Sequence, residues 1–482
     1  MACPLSPDRP AGASDPLRVR GRTARRIGKS SAYPPGESRL EMKQDRTNEG
    51  YSTMRTHVEN EALGDLDVMI IGGGPAGVST ALHLLRMDPD LASRSLLLEK
   101  EHHPREKICG GALTLNAERI LEDLDIPLDI PHAPVHHVQL TYGDIRIDLP
   151  ENGCAKRVIR RRDFDNLLFQ TARARGFPIR EGVRVRKVIR CADHLRVVTD
   201  EGYFRSQVVV GADGVGAVVR KTTGFGPGRM GRLWVAEIPV DPQNARTFSE
   251  QVLIIDLSYV PEGLKGYYWE FPCLIGGCPF ISTGIVDSSH GGNGPRRGGY
   301  DYLLDILHRR GIDTTQAQRK AFPIRHFHPR EQFARPRMLL AGDALGTDPL
   351  FSEGISQALE FGKLAASAVC DGFRRNDLSF VHYTRDVLRS RVGKELSAYA
   401  RIARFFYGPH AELFLSLLYE VPELRQLIGC SYAGTQDVHR KMLSLTKYVA
   451  KHLLTARRNV RRFRAAAGLD QASAAPVTRT DG

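Results

Sequence analysis

The first strong pattern in the chain is a short apolar run. Val68-Met69-Ile70-Ile71 follows Asp67 and stops at three glycines. A continuous apolar run bounded by turn residues reads as a strand buried on both faces. Residues 76–87 then carry apolar side chains at helical spacing (Val78, Ala81, Leu82, Leu85), and residues 95–98 form a second apolar run. Strand, glycine turn, helix and strand make a βαβ opening. Further on, β-type segments at 138–149, 183–189 and 195–199 alternate with one helical stretch at 162–175, and an apolar run at 207–210 returns to the first pattern. Residues 232–288, with their Trp, Tyr and β-branched positions, predict antiparallel strands. Another buried strand is predicted at 338–341, a long helix at 354–373, and helix throughout the region after about 379.

This order predicts an α/β protein of two interleaved domains. A parallel-sheet domain takes residues 65–134, 200–225 and 320–378, and an antiparallel sheet domain takes 135–199 and 226–319. A helical region follows at 379–464, and residues 465–482 read as a disordered tail. Residues 1–64, rich in Arg, Ser, Pro and Gly without apolar periodicity, also read as disorder. Asp8, Asp15, Glu37 and Glu41 speak against an amphipathic presequence there, and a translation start at Met54 is a third reading.

Charge changes this picture little once it is located. The 482 residues carry a net +13, yet residues 1–50 hold ten basic side chains against six acidic, and residues 438–482 ten against two. The body is therefore nearly neutral, which argues against a nucleic-acid groove. No stretch of eighteen apolar residues exists, so no transmembrane helix is expected. The eight cysteines are scattered and no apolar leader precedes them, so free thiols in a cytoplasmic protein are expected. Cys273 and Cys278 lie five apart without companion His or Cys ligands, and no metal site is expected.

The chemistry is carried by glycines. Gly72-Gly73-Gly74-Pro75-Ala76-Gly77 fits G-x-G-x-x-G between a strand and a helix. There the first glycine permits the turn, the second admits a pyrophosphate to the backbone, and the third allows close helix packing. Glu99, twenty-two residues beyond Gly77, is placed to hold ribose hydroxyls and to disfavour a 2′-phosphate. Asp213-Gly214 ends another apolar strand. Gly342-Asp343 ends a third, followed by Pro349 and a helix opened by Gly354-Ile355.

Together these three motifs resemble the FAD-binding pattern of the superfamily of class A aromatic hydroxylases, halogenases and geranylgeranyl reductases. The resemblance implies a Rossmann-type FAD-binding domain interleaved with an antiparallel substrate domain. It also implies that Asp343 bonds the ribityl chain while the following helix points at the flavin. Arg161, in an Arg-x-x-Phe-Asp pattern between Arg160 and Arg162, matches a superfamily arginine near the cofactor, with a solvated charge run as the alternative. Arg105-Glu-Lys107-Ile-Cys109-Gly110-Gly111, followed by Ala112, resembles the Lys-x-Cys-Gly-Gly segment of geranylgeranyl reductases. Tyr267-Tyr-Trp269-Glu-Phe271-Pro272 resembles that family's Tyr-x-Trp-x-Phe-Pro motif.

On this likeness Lys107, Gly110, Gly111 and Ala112 are expected at the cofactor. Tyr267, Trp269 and Phe271 are expected to hold a prenyl chain, and Cys109 is either a proton donor or a small residue shaping the flavin face. Cys273 and Gly276-Gly277-Cys278 depart from the pattern, which puts the substrate in doubt. Reduction of C=C bonds by hydride from reduced flavin is the expected chemistry. Oxygen chemistry, as in a monooxygenase or halogenase, and electron transfer at a membrane are the alternatives. No second glycine fingerprint is present, so NAD(P)H or a reduced ferredoxin is expected to act as a transient donor. Residues 438–464 can form a basic amphipathic helix, suited either to packing on the body or to peripheral contact with an anionic bilayer.

Overall fold

Four buried residues, Val68 to Ile71, form the central seam of the parallel sheet in this computed structural model. The structure describes residues 61–143, 145–149, 156–260, 263–288, 299–434 and 456–467. Strand β1 (Ala62–Ile71) begins before the apolar run, and helix α1 (Pro75–Met87) follows its glycine turn. Strand β2 (Ser95–Leu98) pairs in parallel with β1, Val68 opposite Ser95 and Ile71 opposite Leu98. Helix α2 (Arg161–Ala174) packs against α1. Strand β3 (Tyr203–Gly211) takes the other side of β1, with Val68 opposite Val208. With helices on the sheet, these strands are buried on both faces, which is why they read as continuous apolar runs.

The second sheet is built from β4 (Arg229–Pro239), β5 (Val252–Asp256), β6 (Gly266–Ile275), β7 (Cys278–Asp287) and β8 (Gln318–His326). Its seven strands run in the order β8, β4, β7, β6, β5, His137–Tyr142, Ile145–Leu149. All pairs are antiparallel except that of β5 with His137–Tyr142. The chain then re-enters the first sheet at β9 (Met338–Leu340), beside β3, and continues into the long helix α3 (Ile355–Arg375).

Period-two alternation gives β6 two different buried faces. Tyr267, Trp269 and Phe271 join the large core shared with the parallel sheet, whereas Tyr268 joins a smaller core with Tyr259, Tyr302 and Ile306. The helix Gly299–Arg309 supplies much of that smaller core.

Two expectations change. Residues 179–199, grouped from sequence with the antiparallel domain, hydrogen-bond into the parallel sheet: Ile179–Arg180 lies beside β2, and Leu195–Thr199 pairs with β3. Short amphipathic strands carry no label of the sheet they join, because edge pairing is decided by neighbours. Cys278 is disulfide-bonded, with its partner outside the described residues, so the expectation of free thiols fails there. Cys109, Cys191, Cys273 and Cys370 are free thiols. The C-terminal helix is described only at Ala456–Ala466, and the rest of 438–455 lies outside the described residues, as do residues 1–60 and 468–482. Among the described residues no helix is long and apolar enough to cross a membrane.

Helices α1 and α3 meet at backbone distance. A Cβ on Gly362 would lie 2.6 Å from the Ser79 Cβ and 2.7 Å from the Ala76 carbonyl oxygen. The Ser79 hydroxyl donates to the Leu359 carbonyl at 2.7 Å. Gly362→Val overpacks this seam, and urea unfolding is expected to show a loss of about 1–3 kcal/mol.

Candidate functional site

The first motif is shaped by two close approaches. Gly72 has φ +108°, and a Cβ there would lie 2.4 Å from the Ala212 carbonyl oxygen at the end of β3. A Cβ on Gly77 would lie 1.9 Å from the Gly72 oxygen, so the turn tolerates only glycine at both places. Gly74 is the N-cap of α1, makes no side-chain cap and precedes Pro75 at the first helical turn. The amides of that turn therefore face outward with the positive end of the helix dipole.

Glu99 follows β2 and is buried. Its Oε2 accepts from the Gly73 amide at 2.7 Å and its Oε1 from the Glu101 amide at 3.0 Å. Arg105 lies 3.8 Å from Glu99 and 3.2 Å from Asp165. Arg161 donates to both oxygens of the fully buried Asp165, at 2.6 and 2.8 Å. Burial works against the Arg161 charge, but Asp165 overcomes it and raises the pKa.

At the third motif Gly342 has φ +61°, and a Cβ there would lie 2.6 Å from that of Ala76, so the first and third glycine turns touch. Asp343 lies 4.0 Å from the Lys107 ammonium, which sits 3.9 Å from the Phe322 ring centroid. Burial lowers the Lys107 pKa, opposed by Asp343. Gly354 is the N-cap of α3 without a side-chain cap of its own, although Glu353 accepts from the Ser356 amide at 2.9 Å.

These groups converge on one cavity of about 590 Å³. Of the residues singled out from sequence, Gly72, Gly74, Pro75, Ala76, Glu99, Lys107, Arg161, Asp213, Gly214, Gly342, Asp343, Gly354 and Ile355 line it. Gly77 stands behind the turn. Gly111 has φ +82°, with its missing Cβ 2.1 Å from the Ile159 oxygen, and Ala112 pairs with Val158, so both hold backbone rather than wall. Pro349 lies in a turn closed by Asp348, whose carboxyl accepts from the Leu350 and Phe351 amides at 2.6 and 3.1 Å. Sequence reasoning assigned no role to Arg105, to residues 183–186 and 215–218, or to Phe322 and Pro323, which also line the cavity. Arg105 could have been found from its place beside the glycine loop; the others carry no motif.

The aromatic wall stands beside this cavity. Tyr267, Trp269 and Phe271 follow one another along one face of β6, with ring centroids 6.3 and 6.5 Å apart. The Tyr267 hydroxyl donates to the Phe351 carbonyl at 2.5 Å, three residues before Gly354. A Cβ on Gly110, three residues after Lys107, would lie 2.8 Å from the Phe271 ring. Cys109 is half-buried, and its sulfur accepts from the Gly111 amide at 3.4 Å.

A dinucleotide flavin fits this donor set. Two helix N-termini and a glycine cradle suit a pyrophosphate, and Glu99 suits a ribose. The Asp213 carboxylate has one oxygen bound by the Val219 amide at 3.0 Å, while its Oδ1 is buried without a partner. An acceptor left in that state calls for a hydroxyl donor such as the cofactor carries.

Comparison with known proteins agrees. Residues 65–267 match the family described as FAD binding domain, and the chain is an FAD-dependent oxidoreductase by class. An uncharacterised protein of Methanosarcina barkeri is 27% identical over 349 residues, covering 71% of this chain and 84% of that one. Digeranylgeranylglycerophospholipid reductase of Methanosarcina mazei is 26% identical over 331 residues, covering 65% and 77%. A geranylgeranyl bacteriochlorophyll reductase-like structure from Thermoplasma acidophilum shares the fold at TM-score 0.62 and 20% identity, over 80% of this chain and 100% of that one. Flavin-dependent halogenases share the fold as well.

Burial pushes the Asp213 carboxyl up from 3.8 to about 6, against the pull of the Val219 amide. Its folded value exceeds the unfolded one, so the stability it contributes is present below about pH 4 and lost as pH rises through 6. Asp213→Asn cannot ionise. Its unfolding free energy, measured in urea at pH 4 and pH 7, is expected to fall less over that interval than the wild type's, by on the order of 2–3 kcal/mol.

Proposed function

We propose that this protein reduces C=C bonds of a hydrophobic, prenyl-type substrate with hydride from reduced FAD. The observation that carries the reading is the Tyr267-Trp269-Phe271 wall, packed on the Cys109-Gly110 loop beside the cofactor cavity. Apolar rings of this kind hold an alkene chain by area and shape and keep water from a reactive centre. The likeness to a digeranylgeranylglycerophospholipid reductase supports the same chemistry.

Bound FAD supplies a ring that gives up a hydride. The residues around it orient that ring and move the proton. Lys107, Asp343 and the start of α3 bring a cation and a helix N-terminus to the flavin end, which favours negative charge on the reduced ring. The proton falls to Cys109 rather than Tyr267. Burial raises the Tyr267 phenol far above its usual value, and its O–H is already given to the Phe351 carbonyl. The reductant is a transient donor, NAD(P)H or a reduced ferredoxin.

The test is anaerobic photoreduction of the flavoprotein, then reoxidation by geranylgeranyl lipids followed by mass spectrometry. A product heavier by two hydrogens is expected; one gaining oxygen or halogen would replace this reading with oxygen chemistry, and dye reduction without any product would replace it with electron transfer. Cys109→Ala is expected to cut product formation by roughly 10²-fold while FAD stays bound. Unchanged turnover removes Cys109 from the reaction.

The described end of the basic C-terminal segment bears on where the substrate is met. In helix Ala456–Ala466, Phe463 is buried against Tyr142 at 5.3 Å and Arg464 pairs with Glu412, while Arg458, Arg461 and Arg462 are exposed. Its apolar side is spent on the body, and its cationic side is open to an anionic lipid surface. Replacing Arg458, Arg461 and Arg462 by Ala is expected to lower the affinity for phosphatidylserine vesicles, read by co-sedimentation, roughly 10²-fold, at roughly 1 kcal/mol per lost cation near the surface. Equal binding would end the membrane reading.

A further inference from the structure

Behind helix α3 lies a second, much smaller cavity. It measures about 30 Å³, room for one or two waters, and lies between the start of α3 and the helix Arg391–Phe406. Helical spacing divides the start of α3 between the two spaces. Gly354, Ile355 and Ala358 line the cofactor cavity, whereas Glu353, Ser356, Gln357 and Glu360 line the small one. The two are therefore one helix apart, about 10 Å.

The small cavity is rich in acceptors. Four carboxyl groups line it, Asp348, Glu353, Glu360 and Glu395, against one cation, Arg391, which pairs with Glu360. Tyr399 and Tyr432 also face it, with the Lys156 ammonium 3.7 Å from the Tyr432 ring centroid. Tyr267 and Tyr407 stand near enough for the Asp348 charge to act on their phenols. Gln357 is 8% exposed; its side-chain N–H donates to Glu353, while its Oε1 is buried without a partner. An acceptor stranded among acceptors calls for a donor, either a carboxyl O–H or a water that links to one. Burial pushes the Asp348 carboxyl up from 3.8 to about 8, against the pull of the Leu350 and Phe351 amides, and the like charges of Glu353 and Glu395 add to the rise.

We infer that this carboxyl cluster is a proton store whose occupancy follows the redox state of FAD on the other side of α3. The inference needs FAD in its cavity and holds whichever substrate is reduced. Two electrons and one proton convert FAD to its reduced anion, and a carboxylate of the cluster binds a second proton from solvent as its O–H forms. Loss of hydride from the ring removes the negative charge, and the cluster gives its proton up again. A unit charge about 10 Å away, at an effective dielectric of about 20, raises a carboxylate's proton affinity roughly tenfold. With Asp348 at about 8 before reduction, the extra uptake peaks just above pH 8, at about half a proton per FAD. At about pH 6.5 the carboxyl holds its proton in both redox states, and at about pH 10.5 in neither, so the extra uptake vanishes at both ends.

The test is a spectroelectrochemical titration of the full-length, FAD-loaded protein, with proton number read from the slope of the flavin midpoint potential against pH. Between pH 8 and 9 the wild type is expected to take up about 1.5 protons per two electrons, and Asp348→Asn about one. Reduced-minus-oxidised infrared spectra of the wild type at pH 8.5 are expected to gain a protonated-carboxyl C=O stretch that shifts in D2O, a readout that does not depend on a variant folding. Should Asp348→Asn fail to hold FAD, Glu395→Gln removes a like charge from across the cavity and is expected to move the uptake window to lower pH. A wild-type slope of one proton throughout that range overturns the inference, as does an unmoved window in Glu395→Gln or undiminished uptake in Asp348→Asn. Extra uptake without the carboxyl band also overturns it, and would give the proton to Lys107.

Discussion

Backbone contact between glycine turns is the constraint on which the rest of this molecule depends. Gly77 rests on the Gly72 carbonyl, Gly72 on that of Ala212, and Gly342 on the methyl of Ala76. A single added carbon at any of these points would push a helix or strand end outward. With the contacts intact, α1 and α3 both open toward one cavity, and their free N-terminal amides become a site instead of two exposed helix ends.

Charge around that cavity is organised by the same economy of space. Glu99 is held by two amides, and Asp165 is shared by Arg105 and Arg161 within a buried network. Paired in this way, the charges remain tolerable at low exposure, whereas removal of one partner would leave another buried and alone. Arg161 thereby works through Asp165 as much as through the cavity it lines. Asp213 is the exception, with an oxygen that no protein group serves.

The antiparallel sheet contributes a wall by alternation. Because both faces of β6 are buried, its aromatic side chains divide between two cores, and the set facing the nucleotide domain becomes the surface nearest Cys109 and Gly110. Tyr267 and Trp269 look alike as sequence, two large rings with polar tips. They differ in that one tip is bonded to Phe351 and the other has no hydrogen-bond partner in the protein.

The sequence by itself determined the βαβ opening, the three glycine-centred turns and the placement of Glu99, because sterics leave few residues able to occupy such turns and apolar runs leave few places for buried strands. The resemblance of Tyr267-Tyr-Trp269-Glu-Phe271-Pro272 to a family motif also marked the aromatic residues that share one face of β6. Only the tertiary structure decided that Arg105 and residues 183–186 reach the cavity, that Leu195–Thr199 joins the parallel sheet, and that Cys278 is bonded. These depend on which distant segments become neighbours, and no local propensity encodes that. The structure likewise adds a partner for Arg161, which lines the cavity and is clamped on Asp165, since a charge run shows its sign in sequence but not its partner.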